Sequence, residues 1–129
     1  MAFRLEKKQT TSTPYILVDE EKNYMKLEGR CFHEKVGEFF REINEWLDVY
    51  LVSDFKTFTF DNEITYFNSS TTKLLLNMLL KLDSHASAEK EIVVNWITTM
   101  DNDIMIECGE DFKEEMSKLK FNLVTTEGD

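Results

Sequence analysis

A chain of 129 residues with 42% hydrophobic content can bury one substantial core and is too short to suggest a second domain. Its 25 acidic residues outnumber 15 basic ones, and the formal charge of -10 repels phosphate backbones and anionic lipid. Nucleic acid and membrane are therefore excluded as expected partners, and another protein is the natural one.

Two cysteines, Cys31 and Cys108, occur without CxxC spacing or a secretory leader, which leads us to expect reduced thiols in a cytoplasmic protein. No apolar run approaches the roughly 18 residues that a membrane span needs.

Residues 1–13 are polar and end at Pro14, the only proline, so they read as a flexible arm or a weak edge strand. YILVD from Tyr15 and YMKLEG from Tyr24 flank the polar EEKN, and Met25 and Leu27 alternate with Tyr24, Lys26 and Glu28, which predicts a hairpin. Between Glu34 and Val52 the apolar residues Val36, Phe39, Phe40, Ile43, Trp46, Leu47 and Tyr50 recur at three- and four-residue steps, the signature of one amphipathic helix. From Phe55 to Phe60 the period becomes two, with aromatic or β-branched residues on both faces, so this strand is expected at the centre of a sheet.

A Leu-rich helix is predicted from about Ser70 to Ser84, and EIVVNWI from Glu91 to Ile97 reads as a buried strand. A further helix over Asp103 to Met116 would turn Ile104, Ile106, Phe112 and Met116 inward, with Gly109 weakening it. Phe121 to Thr125 forms a last short strand. Strands alternating with helices predict a single α/β domain over residues 14–125, a mixed sheet with an N-terminal hairpin and helices packed mainly on one face, and a frayed tail at 126–129.

Catalytic signatures are weak. His33 and His85 have no serine or cysteine at nucleophile spacing, and the four glycines are isolated, so no phosphate loop is formed and no cofactor is expected. Asp101, Asp103, Glu107, Glu110 and Asp111 lack the rhythm of a calcium loop and read as charge at a helix start rather than as metal ligands. In the Leu-rich helix, Leu75, Leu76, Leu79 and Leu82 define a core stripe while Leu74 and Met78 fall outside it, so these two are candidates for a partner-binding surface.

In front of that helix stands YFNSSTTK, four consecutive hydroxyls after Asn68. Asn68, Ser69 and Ser70 are good N-cap residues, but capping explains one or two hydroxyls rather than four. A phosphate here would meet the helix dipole and free N–H groups, with Lys73 one turn inward as counter-charge.

STPYI near the start, YMKLEGRCFHEK before the first helix, and above all YFNSSTTKLLLNMLLKL make the chain, from about Ser12 to Val124, resemble the SiaC-type regulatory phosphoproteins of bacteria. The resemblance implies a STAS-like fold related to anti-sigma-factor antagonists and a non-enzymatic switch. It further implies phosphorylation at the first hydroxyl after Asn68 by a dedicated Ser/Thr kinase, removal by a PP2C-type phosphatase, and an unphosphorylated form that activates a diguanylate cyclase and so favours biofilm growth. Carried onto this chain, the acceptor is Ser69, with Ser70 and Thr71 behind it and Asn68 and Lys73 as neighbours; serine stands where the best-known members carry threonine. Two other readings stay open at this point, an anti-sigma-factor antagonist acting on an anti-sigma kinase and a small enzyme using His33 or the acidic 101–111 region.

Overall fold

The computed structural model describes residues 2–127. Period-two patterning yields six strands: β1 (Arg4–Lys7), β2 (Tyr15–Asp19), β3 (Tyr24–Cys31), β4 (Thr57–Phe67), β5 (Glu91–Thr99) and β6 (Lys120–Thr126). Period-3.6 patterning yields α1 (Val36–Phe39), α2 (Arg41–Tyr50), α3 (Ser69–His85) and α4 (Asp103–Glu115). The strands lie in one sheet in sequence order; β1, β2 and β3 pair antiparallel, and β3 to β6 pair parallel.

That order decides the architecture. Every parallel step moves the sheet one strand in the same direction, so crossovers of the usual right hand carry all the helices to one face. The burial pattern agrees: Phe58, Phe60 and Ile64 of β4, Ile92, Val94 and Trp96 of β5, and Met25 and Leu27 of β3 are buried together with Ile43, Leu47, Leu75, Leu79, Leu82 and Phe112 of the helices. The other face carries a polar ladder, in which Tyr24 and Asn95 donate to the Asp61 carboxylate at 2.7 and 2.8 Å and Asn122 donates to Asn95 at 3.0 Å. β4 is central as expected, but only one of its faces is covered.

Of the two readings of residues 1–13, flexible arm or weak edge strand, residues 4–7 take the second as β1, and Phe3 stacks on Trp46. Several other expectations are corrected. The helix expected over 34–52 is divided at Phe40, whose φ of -94° and ψ of 0° separate α1 from α2. Strand β4 begins at Thr57 rather than Phe55 and runs through Phe67. Ile104, expected inward, is 74% exposed, because α4 buries Met105, Gly109 and Phe112, a stripe displaced by one residue. Gly109 lies within α4 and has a packing reason: a Cβ there would lie 2.5 Å from Cδ1 of Trp96, so glycine admits the indole, whose Nε1 donates to the Met105 carbonyl at 2.9 Å. Thr126 ends β6, and the last two residues of the tail expected to fray, Gly128 and Asp129, lie outside the described residues.

The end of α3 is tied to the approach to β6 by Asp83. Its carboxylate accepts from the backbone N–H groups of Ser117, Lys118 and Leu119 and from the Ser117 hydroxyl, at 2.7 to 3.2 Å. Burial raises its pKa, but the N–H groups of Leu119, Lys118 and Ser117 outweigh that and hold it below the ordinary value. A depressed folded value means that the stabilisation is complete above the usual carboxylate range and is lost as pH falls through the folded value. Asp83→Ala is expected to cost about 2 kcal/mol near neutral pH, measured by urea unfolding. The deficit should shrink as pH falls, because the wild type loses the same contribution.

Candidate functional site

The parallel strands β3 and β4 end side by side, and their register shifts between Gly29 and Arg30, so that Gly29 faces Ile64 and Arg30 faces Tyr66. Thr65 is the additional residue of this bulge. Gly29 has a φ of +112°, a conformation that favours glycine. The bulge reverses the alternation of β4: Tyr66, which would have pointed inward, is 48% exposed, and Phe67 turns toward Trp96, with ring centroids 6.3 Å apart. Asn68 then leaves the sheet at φ -90° and ψ 178° and begins α3.

Asn68 is the N-cap. Its side-chain oxygen accepts from the Thr71 N–H at 3.0 Å. Thr71 is fully buried, and its hydroxyl lies 2.9 Å from Asn68 Oδ1 and 3.2 Å from the Cys31 carbonyl, either of which can take its proton. Cys31 Sγ lies 3.6 Å from the same oxygen. The Thr72 hydroxyl donates to the Asn68 carbonyl at 3.1 Å. Ser69 and Ser70 are exposed and, among the described residues, neither hydroxyl makes a hydrogen bond.

The four hydroxyls are thus sorted by geometry. Thr71, kept open as an acceptor on sequence, is corrected to a structural residue, because its oxygen is sealed between Asn68 and Cys31. Lys73 is exposed, one turn into α3, as expected. Leu74 is half-buried at the side of a groove of about 490 Å³ between α3 and the α1–α2 segment, bordered also by Val36, Asn44, Ser70 and Lys73. Met78, expected on an exposed partner surface, is only 1% exposed and belongs to the core; the divided α1–α2 segment lies over the flank of α3 that one stripe of leucines would have left open.

The carboxyl end of the parallel strands carries further groups that sequence patterning did not single out. Arg30 is exposed, and its guanidinium carbon lies 5.0 Å from the Phe32 ring and 5.7 Å from the Tyr66 ring. Met100 is 61% exposed in the β5–α4 turn, where the Asn102 side chain donates to the Thr65 carbonyl at 3.1 Å. Only the register shift reveals Arg30, and the isolated glycine at 29 was its one trace in the sequence.

Nothing assembles around the other candidates. His33 Nδ1 accepts from the Lys35 N–H at 3.0 Å, and His85 Nδ1 lies 3.0 Å from the Lys81 carbonyl and 3.2 Å from the Ser84 hydroxyl, which donates to that same carbonyl at 2.7 Å; neither histidine belongs to a metal-ligand cluster among the described residues. Asp101, Asp103, Glu107, Glu110 and Asp111 likewise form no candidate metal cluster there. Both thiols are free: burial pushes Cys31 upward against the Thr71 contact, and burial followed by Asp111 pushes Cys108 up to about 11. Among the described residues no helix is long and apolar enough to cross a membrane.

A family model described as SiaC family regulatory phosphoprotein matches residues 7–126. An uncharacterized protein of Pseudomonas aeruginosa (strain UCBPP-PA14) is 24% identical over 108 residues, which span 84% of this chain and 86% of that protein. The structure of SiaC of Pseudomonas aeruginosa superposes with a TM-score of 0.86 at 22% identity, covering 96% of this chain and 99% of that one. A chain in the crystal structure of diguanylate cyclase SiaD in complex with its activator SiaC, from the same species, superposes with a TM-score of 0.87 at 23% identity, covering 95% and 99%. At these identities the superpositions establish the fold, a mixed six-stranded sheet with helices.

The sorting of hydroxyls is tested by stability. Thr71→Val is expected to cost about 1 to 2 kcal/mol and Asn68→Ala about 1 kcal/mol in urea unfolding, whereas Ser69→Ala should change stability by less than about 0.5 kcal/mol. Met78→Ala should cost about 2 to 5 kcal/mol, as a core truncation does.

Proposed function

The chain belongs to the SiaC family of regulatory phosphoproteins, regulators rather than enzymes, and on that premise we propose that it is a switch protein controlled by phosphorylation at Ser69. In this reading the unphosphorylated form binds and activates a diguanylate cyclase in the cytoplasm, raising cyclic di-GMP and favouring biofilm growth. A Ser/Thr kinase transfers the γ-phosphoryl group of ATP to Ser69 Oγ, and a PP2C-type phosphatase returns it as inorganic phosphate. The crystal structure of diguanylate cyclase SiaD with its activator SiaC, whose fold this chain shares, supports the choice of partner.

The observation that carries the reading is the contrast within YFNSSTTK. A kinase needs a hydroxyl it can reach, and the two threonine hydroxyls are committed while those of Ser69 and Ser70 are free. Ser69 is the first hydroxyl after the Asn68 cap, at the positive end of the α3 dipole, and Lys73 lies on the first turn as counter-charge. Leu74 beside the groove, with exposed Tyr66 and Met100, supplies apolar contact area around it, and Met78 lines the same groove while adding almost no exposed area. A phosphate adds close to two negative charges at the centre of such a surface and makes its desolvation costly. We read the arrangement of an acceptor at a helix start over a mixed sheet as STAS-like.

The test uses a purified diguanylate cyclase from the same cell and the rate of cyclic di-GMP formation. Ser69→Ala should activate it within about twofold of wild type, and Ser69→Asp should need at least about tenfold more protein for half-activation, a difference of about 1.4 kcal/mol. Equal activation by both variants would sink the reading.

A further inference from the structure

We propose that Arg30 is the receptor for the phosphate on Ser69, so that modification draws its guanidinium away from Phe32 and Tyr66 and alters the aromatic surface beside the site. This deepens the switch reading and rests on it for the identity of the modified residue.

Arg30 stands out among the three arginines. Arg4 and Arg41 are each within 4.0 Å of a carboxylate, whereas Arg30 makes no ion pair among the described residues and has two aromatic rings for neighbours. A guanidinium over a ring face keeps its in-plane N–H donors free, and those donors match a phosphate in bidentate geometry. An exposed contact of this kind contributes little by itself, so a dianion in reach competes with it successfully.

Placement is built into the fold. The bulge at Gly29 sets Arg30 opposite Tyr66, three residues before Ser69. The next residue, Cys31, touches Thr71 through its carbonyl at 3.2 Å, and Ser69 is two residues before Thr71, a rise of about 3 Å along the same helical turn. Arg30 and Ser69 therefore flank one junction, and both side chains are exposed there. Tyr66 and Phe32, whose rings lie 5.9 Å apart edge to face, are the groups that lose the cation when the phosphate takes it.

The experiment installs phosphoserine at position 69 of the full chain during translation and follows its second ionisation by ³¹P NMR. Its outcome does not depend on whether a cell modifies Ser69, so it is separable from the switch reading. Lys73, one turn into α3, is present in every variant, and the comparison of wild type with Arg30→Gln isolates the guanidinium. We expect the ionisation in wild type to lie at least about 0.5 pH unit below that in Arg30→Gln, with Arg30→Lys between them. The Arg30 Nε–H resonance should also shift on phosphorylation. Identical ionisation in wild type and Arg30→Gln, with an unmoved Nε–H resonance, would overturn the proposal.

Discussion

The buried hydroxyl of Thr71 joins the start of α3 to the end of β3. It satisfies either the Asn68 carboxamide or the Cys31 carbonyl from inside the core, while the Asn68 side chain caps the helix through the Thr71 N–H. A polar group with no access to water has to be satisfied by protein, so this contact fixes the first turn of α3 against the sheet. The adjacent hydroxyls are divided as a consequence. Thr72 folds back on the Asn68 carbonyl, and Ser69 and Ser70 are turned to solvent at the end of the helix where an anion is most favoured.

A second constraint acts through two glycines that the chain uses in different ways. Gly29 takes a positive φ at the bulge between β3 and β4, and that bulge turns Tyr66 outward, Phe67 inward and Arg30 toward Tyr66. Gly109 lets Trp96 approach the α4 backbone, so the indole packs on Phe112, Phe121 and Phe67 and holds the β5 side of the core. Neither glycine touches Ser69. Gly29 shapes the ends of β3 and β4 from which the candidate site is built, and Gly109 serves the core behind them.

Much of this was legible in the sequence because period-two and period-3.6 patterns are strong where one face is buried. The hairpin, the central β4, the Leu-rich α3 and the single covered sheet face follow from that patterning. The edge strand β1 was less visible, since it is short and half-exposed along its length and its pairing with β2 is a tertiary choice. Ile104 misled because an apolar residue at a helix start fits the periodicity until the cap at Asn102 sets the register. Met78 misled for a related reason: its angle on the helical wheel lies outside the leucine stripe, and a second layer, α1 with α2, covers it. At the candidate site, patterning marked the run of hydroxyls but cannot tell a buried Thr71 from an exposed Ser69. Arg30 was out of view because a bulge across parallel strands 36 residues apart in sequence leaves no local signal beyond an isolated glycine.

In the proposed switch, the regulatory chemistry of a chain with a formal charge of -10 falls at one junction, where the exposed Ser69 and Ser70 begin α3, Lys73 lies one turn on and Arg30 stands near the end of β3. A modification there reaches the apolar groups exposed around it without disturbing the core, since Thr71 keeps the helix start in place. The most direct measurement is phosphopeptide mapping of the protein isolated from its native cell. We expect a single phosphate on Ser69, rising and falling with growth conditions. Phosphate on Thr71 or Thr72, or an unmodified YFNSSTTK segment under every condition, would contradict a switch centred on Ser69.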